Sequence, residues 1–282
     1  GDFSLMKKKL ILIRGLGHSG TTILDTILGK HSSIVGIGEG IRVLRGVKKE
    51  GTMPKRLRSE ERHELECTCD NLVPKCKVWG KTIEYIINND KESLEKKFSY
   101  LSKEIYKNYG NDTMIVDSSQ SDLDSTIYLN KEYEIKVILL TKDIRSWVNS
   151  YKKKYNRNII RNILTWYFVN KKIEKFLKKN NLDFIKVGYE EFALHTELIL
   201  NKIFSWLGIN FENNLLNLSK SKSHIVAGNR MRLNKKNNSR IIYDSSWINN
   251  NSNKFRKILF LPFYKKNNEL VYSNVGKKNK LS

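Results

Sequence analysis

The segment LILIRGLGHSGTTILDTIL, residues 10–28, constrains the fold more than any other part of the chain. An apolar run enters a glycine-rich turn and leaves it as a helical pattern. Gly15 and Gly20 stand at the G-x-x-x-x-G spacing of a phosphate-binding loop. Successive backbone N–H groups in such a turn, followed by a helix N-terminus, form a concave anion site. Gly17 and Gly20 let the backbone approach a ligand, and the hydroxyls of Ser19, Thr21 and Thr22 add donors. After Gly20, where a loop that hydrolyses ATP or GTP keeps a lysine, stands Thr21. The cradle therefore suits a shorter or differently charged group than the β- and γ-phosphates that this lysine spans.

Strands are predicted at Leu10–Ile13, Thr113–Val116, Lys136–Leu140 and Phe184–Val187, each short, apolar and β-branched. Helical patterns lie between them. Ile160, Ile163, Tyr167, Ile173 and Phe176 recur near a 3.6-residue period, and Leu198, Ile199, Ile203, Phe204 and Leu207 mark a helix from about Thr196 to Leu207 that Gly208 stops. This alternation predicts an α/β fold with a P-loop-type central parallel β-sheet flanked by helices on both faces, and ligands at the carboxyl ends of the strands. A chain of 282 residues, 39% of them hydrophobic, can bury one sizeable core, so residues 1–282 are expected to form a single domain. Charge, cysteine and two of the three prolines, Pro54 and Pro74, cluster between Lys48 and Lys81, which reads as a Cys-containing lid insertion. Residues 234–282 are rich in Asn, Lys and Ser but keep Trp247, Phe255, Ile258, Leu259, Phe260, Phe263 and Tyr264, so they are expected to pack as a C-terminal helical segment.

The chain carries 52 basic and 29 acidic residues, a formal charge of +23. Such a balance fits a surface that attracts polyanions, and it equally fits solvated lysine in an Asn- and Ile-rich composition, so basicity alone selects no function. No run approaches the roughly 18 apolar residues of a transmembrane helix. The opening GDFSLMKKK lacks the apolar core of a signal peptide, and Met6 reads as a natural start. A soluble, cytoplasmic protein is expected.

GLGHSGTT resembles the 5′-phosphosulfate loop of sulfotransferases that use 3′-phosphoadenosine 5′-phosphosulfate (PAPS), with His18 where that family keeps lysine or arginine. Residues 134–155, EIKVILLTKDIRSWVNSYKKKY, resemble the family's 3′-phosphate motif. Lys142 takes the place of its first arginine, Asp143 and Arg145 match, Ile144 replaces the usual proline, and Ser150 follows Lys142 by the family's eight residues. A cation at a strand end and a hydroxyl two helical turns along can reach one phosphate by charge-assisted hydrogen bonds; lysine supplies the charge without arginine's bidentate fork. MIVDSS, VGYEEF with IFSWLGI, and SHIVAGNRMR follow in the family's order. In the last of these the resemblance implies that Arg230 and Arg232 meet the 3′-phosphate and that Asn229 orients the loop.

What the resemblance implies chemically is transfer of a sulfuryl group from PAPS to a hydroxyl or amine, with release of adenosine 3′,5′-bisphosphate and no metal required. Glu39 in VGIGEG lies 21 residues after His18, the register of the catalytic base in tyrosylprotein sulfotransferases. His18 is placed to share charge or a proton with the leaving phosphate. Asp117 and His224 are alternative bases. The acceptor stays open among a glycan, a lipid, a small alcohol or phenol, and a peptide tyrosine.

Cys67, Cys69 and Cys76, with His63, could offer four metal ligands, but C-x-C-x6-C is not an ordinary zinc-finger spacing, and a disulfide using two of the three is also open. The stretch resembles a C-x-C-G-x5-C-x-x-W segment of bacterial sulfotransferases, with Asp70 in place of glycine. It is therefore read as a lid element, without metal, whose Trp79 lines the acceptor pocket. Two other classes compete. A P-loop kinase would explain the turn and would use the acid of MIVD for magnesium, yet it lacks its central lysine. A basic nucleic-acid- or glycan-binding protein would explain the charge, yet no C2H2 finger or RNP motif is present, and nucleic acid is not expected as the primary partner.

Overall fold

A strand that reads as an unbroken apolar run must be covered on both faces. In the computed structural model, which describes residues 7–46, 53–120, 122–155, 158–216, 221–228, 241–243, 245–248 and 261–275, Leu10, Ile11, Leu12 and Ile13 have no exposed surface. They belong to β1 (Lys8–Arg14). With β2 (Ile34–Gly36), β3 (Met114–Asp117), β4 (Tyr133–Thr141) and β5 (Asp183–Gly188) it forms a parallel sheet in the order β2-β3-β1-β4-β5. Leu10 pairs with Ile115 and Ile34 with Met114 in parallel register. The four strands expected from sequence are present. β2 was not expected: at three residues ending in glycine it is too short to show a period.

Helices flank the sheet: α1 (Thr21–Leu28), α2 (Gly40–Leu44), α3 (Lys55–Arg58), α4 (Trp79–Asn88), α5 (Leu94–Tyr109), α6 (Ser125–Leu129), α7 (Ile144–Tyr155), α8 (Ile159–Lys179), α9 (Tyr189–Leu194), α10 (Thr196–Leu207) and α11 (Leu261–Val271). The α10 helix ends where its glycine predicts, with Gly208 left-handed at φ 73°. In α8 the expected stripe is rotated. Ile163 and Ile173 are buried as foreseen, but Trp166, Asn170, Glu174 and Leu177 complete the buried face, while Ile160 is 53% exposed. Asn170 donates to the Trp166 carbonyl, and Glu174 meets Lys178 and Lys186 at 2.8 Å each as well as Lys266, so polar residues fill positions that an apolar pattern skips. Of the C-terminal segment, α11 buries Phe263, Leu270 and Val271; residues 249–260 lie outside the described ones. No helix among the described residues is long and apolar enough to cross a membrane.

The chain divides into two units, one from the described residues of Gly1–Ile13, Thr22–Lys136 and Glu212–Arg240, the other from those of Arg14–Thr21, Val137–Phe211 and Ile241–Ser282. In the first, Asp25 of α1 is a hub. Its carboxyl accepts from the Gly38 amide at 3.0 Å and from Ser223 Oγ at 2.9 Å, and a Cβ on Gly36 would lie 2.1 Å from it. In the second, Gly15 closes β1 so near the Leu140 carbonyl that a Cβ would stand 2.2 Å from its oxygen.

Gly15→Ala must push backbone from backbone, and a loss of about 1–3 kcal/mol is expected in urea unfolding. An unchanged stability of Gly15→Ala would refute the close approach at Gly15. Burial, with the charge of Asp117 adding, pushes the Asp25 carboxyl up to about 7 against the hydrogen bonds from Ser223 and Gly38. The folded protein thus holds a proton there that the unfolded chain releases near pH 4, so this contribution to stability is full below about 4 and is lost as pH rises through about 7. Between pH 4.5 and 6.5 the stability of wild type relative to Asp25→Asn should fall by about 1.4 kcal/mol per pH unit. A difference that is flat with pH would contradict the buried protonated acid.

Candidate active site

The turn between β1 and α1 takes its curvature from positive φ at two positions, His18 (68°) and Gly20 (89°). Glycine adopts this conformation freely; histidine is one of the few other residues found there with any frequency. A Cβ on Gly20 would also fall 2.4 Å from the Tyr189 ring. Trp147 Nε1 donates to the Gly17 carbonyl at 2.8 Å. Because carbonyl and amide point in opposite directions across a trans peptide, the His18 N–H is turned away from Trp147. Ser19 and Thr21 are buried; Gly17, His18, Gly20 and Thr22 are partly exposed.

The α7 helix holds this turn. Trp147 stacks on Tyr151 with ring centroids 4.6 Å apart, and Tyr151 meets the edge of the His18 ring at 5.9 Å. At 100° per residue, Trp147, Ser150 and Tyr151 share an arc of about 100° on that helix. The helix that braces the glycine turn thus presents Ser150 beside its bracing residues. Lys142, at the end of β4, is buried, and its Nζ lies 5.5 Å from the Tyr189 ring, the same ring that packs against Gly20.

The first amides of α7 are already engaged. Asp143 N–H donates to Glu190 (2.8 Å), Ile144 N–H to Asn267 (2.9 Å) and Arg145 N–H to Asp143 (2.8 Å). Arg145 grips Asp143 through Nε (2.9 Å) and a terminal nitrogen (2.6 Å), and its guanidinium lies 4.3 Å from the Trp247 ring. Burial works against the Asp143 carboxylate, but the Arg145 hydrogen bonds and charge outweigh it and hold the group below the usual carboxylate range. Glu190 goes the other way: burial, then repulsion from Asp143, pushes it up to about 8. The Asp143, Ile144 and Arg145 amides and the Arg145 guanidinium are thus all engaged within the protein at this strand end.

Glu39, in the other unit, is 9% exposed as a residue. It precedes α2, whose first turn is held from the MIVDSS segment: Ile41 N–H donates to Asp117 (2.8 Å) and Arg42 N–H to Ser119 (3.3 Å). The Glu39 carboxyl accepts from Arg42 at 2.7 Å and from Gln120 at 3.4 Å, so it is held by protein partners. Next to it, Arg42 and Gly228 line an open cleft of about 570 Å³ whose other walls include Pro54, Arg56, Leu65 and Val226. The alternative bases are otherwise engaged. Asp117 also accepts from Ser119 N–H and Oγ, and His224 is 1% exposed with its ring between two cysteines and Tyr109. Trp79, expected in the acceptor pocket, is instead fully buried and donates to the His224 carbonyl at 2.6 Å. His63 stands 3.6 Å from Glu60 and is not the histidine that joins the cysteines. Asn229, Arg230 and Arg232 lie outside the described residues.

Trp147, Tyr151 and Tyr189 were missed in the sequence. An i, i+4 aromatic pair in the helix after the strand, and the tyrosine of VGYEEF, are the signals that could have found them.

The sequence profile of the Sulfotransferase family matches residues 11–213. No curated protein sequence matches the chain. Among solved structures, the sulfotransferase domain from the Synechococcus PCC 7002 olefin synthase superposes with a TM-score of 0.55 at 14% identity, covering 95% of this chain and 96% of that one, a likeness of fold. Sulfotransferase STF9 from Mycobacterium avium is 9% identical, with 93% and 76% covered and a TM-score of 0.44. A retinol dehydratase in complex with androsterone and the inactive cofactor PAP is 11% identical, with 97% and 82% covered and a TM-score of 0.34. With a turn that lacks the nucleotide-triphosphate lysine, a strand-end lysine beside it and a family match over most of its length, the chain belongs to the sulfotransferase family and is a sulfotransferase.

Proposed function

We propose that this sulfotransferase takes its sulfuryl group from PAPS and passes it to a hydroxyl or amine, releasing adenosine 3′,5′-bisphosphate. The observation that carries the reading is the shared bracing by α7, which fixes the glycine turn through Trp147 and Tyr151 and carries Ser150 on the same arc. PAPS bears two anionic ends, a 5′-phosphosulfate and a 3′-phosphate, and supplies the activated sulfuryl group.

The turn residues Gly17, His18, Ser19, Gly20, Thr21 and Thr22 are assigned to the 5′-phosphosulfate, Lys142 and Ser150 to the 3′-phosphate. The absence of a lysine after Gly20 suits this donor, because no β,γ-phosphate pair has to be spanned. Asn229, Arg230 and Arg232 are assigned to the same cofactor from sequence alone. His18 is assigned to neutralise charge gathering on the departing phosphate oxygen, the step at which such transfers gain most from a positioned donor. Glu39 is assigned as base. An acceptor oxygen that attacks without losing its proton gathers positive charge, and a carboxylate paired with Arg42 beside a cleft is a suitable proton acceptor. Arg42, Lys55 and Arg56 share the cleft wall with Glu64 and Glu66, a mixed lining that favours an acceptor with polar groups.

Radiolabelled PAPS should yield adenosine 3′,5′-bisphosphate with at least one acceptor among glycans, lipids, small alcohols or phenols, and tyrosine peptides. Glu39→Gln should lower turnover on that acceptor by about 10²–10⁴-fold while leaving affinity for the bisphosphate unchanged. Failure with every acceptor class overturns the donor reading. Wild-type turnover by Glu39→Gln overturns the choice of base.

A further inference from the structure

Cys67, Cys69, Cys76 and His224 place one potential ligand atom each within 4.8 Å of all the others, and three of the four residues are buried. We infer that these residues bind a structural zinc ion that staples the two walls of the cleft beside Glu39.

Three of the four ligand atoms stand near the spacing of a tetrahedral shell, and the fourth lies within 4.8 Å of them. Zinc bonds of about 2.3 Å to sulfur and 2.0–2.1 Å to nitrogen put tetrahedral ligand atoms about 3.6–3.8 Å apart. The distances here are 3.6 Å between the sulfurs of Cys67 and Cys76, 3.8 Å from Cys67 to His224 Nδ1 and 3.2 Å from Cys76 to the same nitrogen. The local backbone is shaped for it. Between Cys67 and Cys69 the chain turns back on itself, with Cys67 N–H on the Asn71 carbonyl (2.9 Å), Asp70 N–H on the Cys67 carbonyl (3.1 Å) and Asp70 left-handed at φ 67°. Donors point at the sulfurs: the Trp79 amide lies 3.4 Å from Cys76 Sγ and the Asn71 side-chain amide 3.7 Å from Cys69 Sγ.

The histidine is oriented as a ligand. Its Nε2 meets Tyr109 OH at 2.5 Å, which leaves Nδ1 to face the cysteines; its amide donates to the Gly36 carbonyl at 2.7 Å, and its carbonyl accepts from Trp79 Nε1. A partner on the distal nitrogen that fixes the ring is the usual outer shell of a zinc-bound imidazole. Three sulfurs and one nitrogen in a tetrahedron select zinc among common divalent ions, and four protein ligands leave no open position, so the role is structural rather than catalytic. Glu64, Leu65 and Glu66 run directly into Cys67, while Val226, Ala227 and Gly228 follow His224 by two to four residues, and all six line the cleft. An ion joining Cys67 to His224 fixes the separation of those walls.

The test is the metal content of the untagged full chain, purified without chelator, and the visible spectrum after cobalt(II) exchange. Expected are about one zinc per chain, intense thiolate-to-cobalt charge-transfer bands with tetrahedral d–d bands, and a thermal midpoint that falls on chelation and returns with zinc. Cys69→Ser, at the one partly exposed ligand, should weaken the charge-transfer bands, and His63→Ala should leave zinc content unchanged. A folded, metal-free chain with three titratable thiols and no tetrahedral cobalt spectrum overturns the proposal, as does a Cys67–Cys76 disulfide in freshly purified protein. Because cobalt exchange is read on the wild-type chain, misfolding of a variant does not blunt the test. None of these readings depends on sulfuryl transfer.

Discussion

A turn built from glycine, serine and threonine has little packing of its own and must be held from outside. Here the hold is the indole of Trp147 on the Gly17 carbonyl, backed by the Trp147–Tyr151 stack and the edge contact of Tyr151 with His18. Fixing that one carbonyl fixes the peptide plane it shares with the His18 amide, and with it one of the donors from which an anion cradle is built. Gly15 against the Leu140 carbonyl and Gly20 against the Tyr189 ring clamp the ends of the turn. Gly15 and Gly20 are thus set by contacts that leave no room for a Cβ, and Gly20 also by its positive φ.

The same helix shows why the strand-end motif needs more than its two phosphate-facing candidates. Asp143 gathers Arg145, Asn267 and Tyr272 onto one buried carboxylate, and Glu190 takes the Asp143 amide. These groups fix the start of α7, so the direction in which Ser150 projects follows from a buried polar network. Such a network is costly if any member is lost, since the remaining charge stays buried without a partner. In the other unit Asp25 plays a comparable part, joining the Gly38 turn before Glu39 to Ser223 just before His224.

Much of this was legible in the sequence because it is local. The strand–turn–helix at residues 10–28, the α10 stop at Gly208 and the strand that ends just before Lys142 are each written in one short stretch of sequence. What was not legible is what depends on distant partners. The fourth neighbour of the cysteines is His224, 157 positions from Cys67, where spacing had suggested His63. The α8 face hides Asn170 and Glu174, whose burial rests in part on a lysine of β5, Lys186, and one of α11, Lys266. Trp79 has the tryptophan spacing of a pocket residue but spends its indole on the His224 carbonyl. Charge in excess by 23 told nothing of where the site lies, since the cations assigned to it here, Lys142 and Arg42, are two among 52.

The central claim is that the glycine turn and the Lys142–Ser150 pair serve the two ends of one adenosine donor. Calorimetric titration in magnesium-free buffer with adenosine 3′,5′-bisphosphate and with 5′-AMP, which lacks the 3′-phosphate, tests it most directly. The account predicts that wild type prefers the bisphosphate by at least about tenfold, the worth of one charge-assisted hydrogen bond, and that Lys142→Ala combined with Ser150→Ala erases the preference while 5′-AMP binding stays as it was. Equal affinity for the two nucleotides in wild type, or a preference untouched by the paired substitution, would contradict it.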